Sequence, residues 1–246
     1  MTLLVALRGA DGIVVASDSR GTFGDPRGVT AQNDAQKKLY RVSKHAAILA
    51  AGSGELGATV MAEALTLIHE TDGISIVLEK TRKLVRERYD EWFPKFSVQL
   101  NPLNPAGNPV RPDLALLLAG YDVGEPQAPS VQKIFQLGST FDFAPMLHNY
   151  GFALVGIAQY ALYLLNRLYQ NDSTVDRLKA LAAYAITETA SQDGKVGGPV
   201  QMATITPADG CKVLAQDEIN AIVSDNSQKN TTLKDSFFKE KPNAAS

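Results

Sequence analysis

Apolar positions along this chain recur with two different periods. Residues 3–7 and 13–17 are short β-rich runs joined by Gly9-Ala10-Asp11-Gly12, which predicts a hairpin and sets the first residues inside a sheet. Residues 38–42 and 46–51 predict a second strand pair around Ser43-Lys44. The period then lengthens: Leu56, Val60, Ala64 and Leu67 predict a helix over 53–69, and Leu78, Val85, Tyr89 and Trp92 another over 75–92. A Pro/Asn/Gly loop at 101–112 precedes strands at 114–120 and 131–137. A second helix pair is predicted at 156–169 and 175–189, the latter opened by Ser173 with Asp176 three residues on, a variant of the capping box. Residues 200–205 and 212–215 close the pattern as a hairpin across Pro207-Ala208-Asp209-Gly210.

Segregated helix pairs, rather than alternating strands and helices, predict an α+β fold: a four-layer αββα sandwich of two antiparallel sheets between two helix pairs. Residues 1–223 form the domain, and 224–246, rich in Asn, Ser, Lys and Thr, read as a flexible polar tail. Hydrophobic residues make up 45% of the 246 and charged residues 20%, enough for a substantial core and unlike a disordered chain. Cys211 is the sole cysteine, so no internal disulfide forms. The net charge of −2, with scattered lysines and arginines, argues against nucleic acid as a partner. The apolar run ending at Arg8 is too short for a secretory h-region of about 7–15 residues. The apolar stretch 152–165 falls short of the ~20 residues that span a bilayer. A soluble, cytoplasmic protein with no membrane partner is expected. His45, His69 and His148 show no metal-ligand spacing, and neither metal nor cofactor is expected.

Gly52-Ser53-Gly54-Glu55-Leu56-Gly57 matches G-x-G-x-x-G between a strand and a helix, with Glu79 placed where a ribose-binding acid would sit. A dinucleotide site would need a strand ending at Glu79, whereas helical spacing runs unbroken to Trp92. The same glycines can instead bring backbone N–H groups close to a developing oxyanion.

A threonine follows Met1, and removal of that methionine would leave Thr2 as the N-terminus. A terminal threonine carries a nucleophilic hydroxyl and, in its α-amine, a general base. That amine has an unperturbed pKa of ~7.7–8.0, which a neighbouring ammonium would lower. A lysine near Thr2 is therefore expected, with a carboxylate to hold it.

At this point the chain resembles a family. Thr2 is followed sixteen residues later by Asp18-Ser19-Arg20-Gly21-Thr22, and Lys38 precedes Gly52 by fourteen, as in the opening of proteasome β subunits. A small insertion lies near Gly24-Asp25-Pro26-Arg27, and Gln192-Asp193-Gly194-Lys195-Val196-Gly197-Gly198 resembles the family's D-x-x-S-G-G turn. The pattern is similar to that of the simpler bacterial proteasome-like proteins.

The resemblance implies an N-terminal nucleophile hydrolase: a threonine peptidase that cleaves unfolded polypeptides through an acyl-enzyme, inside a homo-oligomeric ring or related assembly, with a regulatory ATPase as a further partner. It implies Thr2 as nucleophile and base, Asp18 and Lys38 as the charged pair beside it, the Gly52 N–H as oxyanion donor and Asp193 as support for the terminal amine. Thr22 and Gly54 would bind substrate backbone, and Ala50 would floor the pocket for the residue before the cleaved bond. Two positions depart from the family: Ile157 and Val196 stand where it usually has serines. Those departures keep open a non-catalytic structural subunit, and a small-molecule amidase of the same superfamily is a third reading.

Overall fold

The computed structural model describes residues 2–25, 28–94, 111–122 and 131–238; the loop expected at 101–112 lies almost wholly outside them. The fold is α+β, with five helices and antiparallel strand pairing throughout the described residues. One sheet has the order β10-β1-β2-β11-β12, built from β1 (Leu3–Arg8), β2 (Ile13–Ser17), β10 (Phe152–Gly156), β11 (Gln201–Thr206) and β12 (Gly210–Val213). The other has the order β5-β6-β7-β8-β9, built from β5 (Leu39–Arg41), β6 (Ala46–Gly52), β7 (Leu114–Tyr121), β8 (Gln132–Gly138) and β9 (Met146–Leu147).

Alternation of side chains across a strand explains why these strands are apolar on both faces. Leu3, Val5 and Leu7 of β1, with Val14 and Ala16 of β2, pack into one core with α3 (Gln159–Leu168) and α4 (Val175–Gln192). The alternate residues Leu4, Ala6, Ile13 and Val15 meet Ala47, Leu49, Leu117 and Ala119 of the other sheet in a second core. Ile48, Leu116 and Leu118 turn the opposite way, onto Val60, Met61, Val77 and Val85 of α1 (Gly54–Leu67) and α2 (Ile74–Trp92). Thr2 is therefore the first residue of a segment clamped between two cores. Glu79 lies inside α2, which removes the strand that a dinucleotide fingerprint needs.

Three elements differ from the sequence expectation. The helix expected over 156–169 begins at Gln159, because Phe152–Gly156 is a strand paired with β1, Leu3 opposite Gly156. A continuous apolar run does not distinguish a buried strand from a helix by period. The start of α4 is not a capping box: the Val175 N–H donates to Asp11 Oδ1 at 2.8 Å, from the β1–β2 turn, and Asp176 is solvent-exposed beside Lys179. Between Thr22 and Lys38 stands an unexpected hairpin, β3 (Gly21–Asp25) and β4 (Gly28–Asn33), whose glycines and polar residues carry no strand signal.

The largest correction concerns 224–246. Residues 224–238 belong to α5 (Gln216–Phe238) instead of a loose tail, and 239–246 lie outside the described residues. Ile219 is buried and Ile222 and Val223 partly so, while Asn226 donates to the Ala180 carbonyl at 2.8 Å and Asn230 to Glu188 at 2.7 Å. Asparagines thus occupy positions on the docking stripe where periodicity would look for leucine.

If α5 is docked in this way, Ile219→Ala will destabilise the protein by about 2–5 kcal/mol, while Phe237→Ala, on an exposed ring, will stay within about 0.5 kcal/mol. Urea denaturation measures both; equal, small effects would mean that α5 does not pack on α4.

Candidate active site

The site forms where the N-terminal ends of β1 and α1 approach the turns at residues 18–20 and 193–198. Asp18 ends the β2 edge with its side chain wholly buried, and it collects four donors. Lys38 Nζ lies 2.8 Å from Oδ1, which also accepts the Leu3 N–H at 3.0 Å. Oδ2 accepts the Arg20 N–H at 3.2 Å and the Gly197 N–H at 3.1 Å. One carboxylate so fastens the start of β1, its own turn, the glycine turn at 197 and the lysine.

Lys38 is only 2% exposed, and its ammonium spends a second N–H on the Arg20 carbonyl at 2.7 Å. Burial pushes its pKa below the ordinary lysine value, and the Asp18 charge partly restores it. An ammonium has three donors; the third is unpartnered among the described residues. Lys38 and Thr2 line the same small pocket, together with Ala50, Gly52 and Gly54. Gln201 steadies the lysine from behind, its Oε1 accepting the N–H groups of Lys38 and Leu39 at 3.0 and 3.1 Å.

Two glycines make the geometry possible. β6 ends at Gly52 with φ +104°, and a Cβ there would collide with the Asp113 carbonyl. Gly156, at φ +97°, lies against the Thr2 carbonyl, where a Cβ has no room. The neighbouring Ile157 N–H donates to that carbonyl at 2.9 Å, so the backbone of Thr2 is held although its side chain borders a cavity.

Beside this pocket a cleft of ≈ 170 Å³ is lined by Thr2, Gly21, Thr22, Gln36, Gly52 and Gly54, among others. Its outer wall is braced by Arg20, which forks onto Asp34 at 2.7 and 2.8 Å and reaches the Gly194 carbonyl at 3.0 Å. The Arg20 hydrogen bond holds the Asp34 carboxyl below the ordinary carboxylate range.

Seven of the eight residues singled out from the sequence line the pocket and cleft or, as Asp18 does, hold Lys38. Asp193 caps the end of α4, its Oδ1 accepting the Lys195 N–H at 2.9 Å, and it makes no hydrogen bond to Thr2 among the described residues. Sequence reasoning missed Gly156, Gln36 and Gln201. Only Gly156 left a trace, as a glycine closing an apolar run.

Comparison with known proteins gives a consistent picture. No protein-family model matches the chain. It is 27% identical over 209 residues to a proteasome β subunit of Halorubrum lacusprofundi, covering 83% of this chain and 73% of that protein. It is likewise 27% identical over 235 residues to one from Mycobacterium sp. strain KMS, covering 89% and 69%. The chain is thus similar in sequence to proteasome β subunits, at a little over a quarter of aligned positions. The fold is also that of Anbu, described as an ancestral β-subunit, from Yersinia bercovieri, with a TM-score of 0.69 at 14% identity over 99% of this chain and all of that one. Anbu from Pseudomonas aeruginosa, described as a helical assembly, matches with a TM-score of 0.68 at 17% identity, again over 99% and 100%.

The two positions at which serines were expected differ here in kind. Val196 is fully buried in the core under α4, whereas Ile157 is partly exposed and packs against the same core. Beside Val196, the Gly197 N–H still reaches Asp18, so the turn keeps its backbone donor without a hydroxyl.

Removing one member of the buried pair strands the other charge, at a cost of about 3–5 kcal/mol. Asp18→Ala and Lys38→Met should each lower stability by that order, and the double variant by less than the sum of the two. A double-mutant cycle in urea measures this; strict additivity would mean that the two charges do not interact.

Proposed function

We propose that this protein is a threonine-type peptidase acting on unfolded polypeptide, with Thr2 as the nucleophile once Met1 is removed. The observation that carries the reading is a single pocket in which Thr2, the buried ammonium of Lys38 and the left-handed turn at Gly52 meet. Thr2 Oγ attacks the scissile carbonyl carbon, and its proton passes to the α-amine. The tetrahedral oxyanion accepts a hydrogen bond from the Gly52 N–H. Collapse breaks the C–N bond, the departing amine takes the proton, and an ester to Thr2 remains. Water then attacks the ester, giving a proton to the α-amine that returns to Oγ as the acid leaves. The cation of Lys38 keeps the α-amine unprotonated at neutral pH by like-charge repulsion.

Thr22 and Gly54, on opposite walls of the cleft, are the edges to which an extended substrate would add as a strand. Ala50 offers the side-chain pocket no charge, so small or apolar residues are favoured before the cleaved bond. The three cores support reading the α+β fold as a four-layer αββα sandwich, and the likeness to proteasome β subunits supports a homo-oligomer that encloses its sites, as a ring or related assembly in the cytoplasm. A regulatory ATPase is a candidate partner. Among the described residues no helix is long and apolar enough to cross a membrane.

A second reading, a non-catalytic ring subunit, is favoured by the apolar Ile157 and Val196, which pack on the α4 core. A small-molecule amidase would share the same chemistry.

Intact mass with and without a threonine-directed covalent inhibitor separates these readings. We expect loss of Met1 and one adduct per chain, with Thr2→Ala taking none and losing at least about a thousandfold in peptide turnover. Turnover surviving in Thr2→Ala would end the nucleophile assignment, and an unreactive, inert wild type would favour the structural subunit.

The pH dependence has a definite sign. The general base must be neutral, so kcat/KM should rise with pH and level off, with its midpoint below the ~7.7–8.0 of a free α-amine because Lys38 is close. A midpoint above that range would show that the amine does not feel the lysine.

A further inference from the structure

Gln36 is held by its backbone and not by its side chain. Its N–H donates to the Ser19 carbonyl at 3.0 Å, and its own carbonyl accepts Gln201 Nε2 at 2.7 Å. The side-chain carboxamide has no hydrogen-bond partner among the described residues, although such a group offers two donors and an acceptor. The half-buried amide lies across the cleft beside Thr2. On one wall a Cβ at Gly54 would collide with Gln36 Nε2, and on the other a Cβ at Gly21 would come within 2.9 Å of its Oε1. Two positions without side chains therefore make room for this one.

The consequence is steric. The pocket shared by Thr2, Gln36, Tyr40 and Ala50 has a free volume of ≈ 10 Å³, about that of one water. A peptide extended between β3 and Gly54 would need the ground that the carboxamide holds, and its side chain would need the pocket.

We propose that Gln36 is a side-chain gate that sets the size of residue accepted next to the scissile bond. This rests on reading the cleft as a peptide site. With the carboxamide in place only a small residue seats; a bulkier one must first displace it. An amide that forfeits no hydrogen bond on leaving is suited to swinging, while its pinned backbone returns it to the same place.

The test uses the full chain carrying Thr2→Ala, so that no peptide is consumed, and fluorescently labelled product-like peptides ending in alanine or leucine. Fluorescence polarisation gives the affinities. Adding Gln36→Ala should tighten the leucine peptide about tenfold and change the alanine peptide less than twofold. Gln36→Leu, similar in size, should keep the discrimination of the parent chain. The gate is overturned if the parent binds both peptides equally, if Gln36→Ala tightens neither selectively, or if Gln36→Leu behaves as Gln36→Ala. Binding of neither peptide by any variant overturns the peptide-cleft reading, and the gate with it.

Discussion

The ion pair between Asp18 and Lys38 is the constraint on which the rest of the site depends. Both groups are almost fully out of water, a position in which a pair survives only if the remaining lone pairs and protons are also matched. Here they are matched by backbone: the N–H groups of Leu3, Arg20 and Gly197 all reach the carboxylate, and the Arg20 carbonyl takes a second ammonium proton. These donors come from parts of the chain as distant as residues 3 and 197. The pair can therefore assemble only after both strands of the first hairpin and the turn behind α4 are in place.

That dependence runs in both directions. The start of β1 is fixed because alternate residues of that strand are committed to different cores, Leu3 toward α4 and Leu4 toward the second sheet. With the strand immobile, the Thr2 carbonyl is held by the Ile157 N–H and approached closely by Gly156. A chain terminus is usually the loosest part of a protein. Thr2, second in this chain, is tied down by packing on one side and charge on the other, the preorganisation that the proposed nucleophile would require.

What the sequence disclosed and what it hid divide along physical lines. The central strands were legible because burial on both faces makes them continuously apolar, and α1 and α2 because their buried stripes keep helical spacing. The charged pair was legible only through spacing: nothing local distinguishes Asp18 or Lys38 from a solvated residue, and burial comes from contacts 20 residues apart in the chain. The hairpin of β3 and β4 was invisible because its sequence, rich in glycine and polar residues, carries no sustained apolar alternation. Helix α5 was misread because Asn226 and Asn230 dock it by hydrogen bonds to Ala180 and Glu188. For Asp193 the sequence carried no sign that its carboxylate would also serve the Lys195 N–H of its own turn. Gln36 left no signal at all, because what matters is the absence of side chains at Gly21 and Gly54 facing it.

The retained ion pair also bears on whether this subunit is a catalyst or a brick. Stability alone gives little reason to keep it, since replacing a buried pair with apolar residues of similar volume is often neutral or stabilising by 1–4 kcal/mol. This chain has made such a choice nearby: Val196 and Ile157 are apolar and pack on the α4 core. Yet Lys38 keeps its charge in the pocket beside Thr2, with a proton to spare and a pKa lowered by burial. A structural subunit would need the packing at Val196 and could dispense with the lysine. A threonine whose own amine is the base needs the lysine's field and can, at some loss of rate, work without the hydroxyls. The combination of apolar replacements outside the ion pair and an intact pair within it is therefore better matched to a simplified catalytic site than to a discarded one.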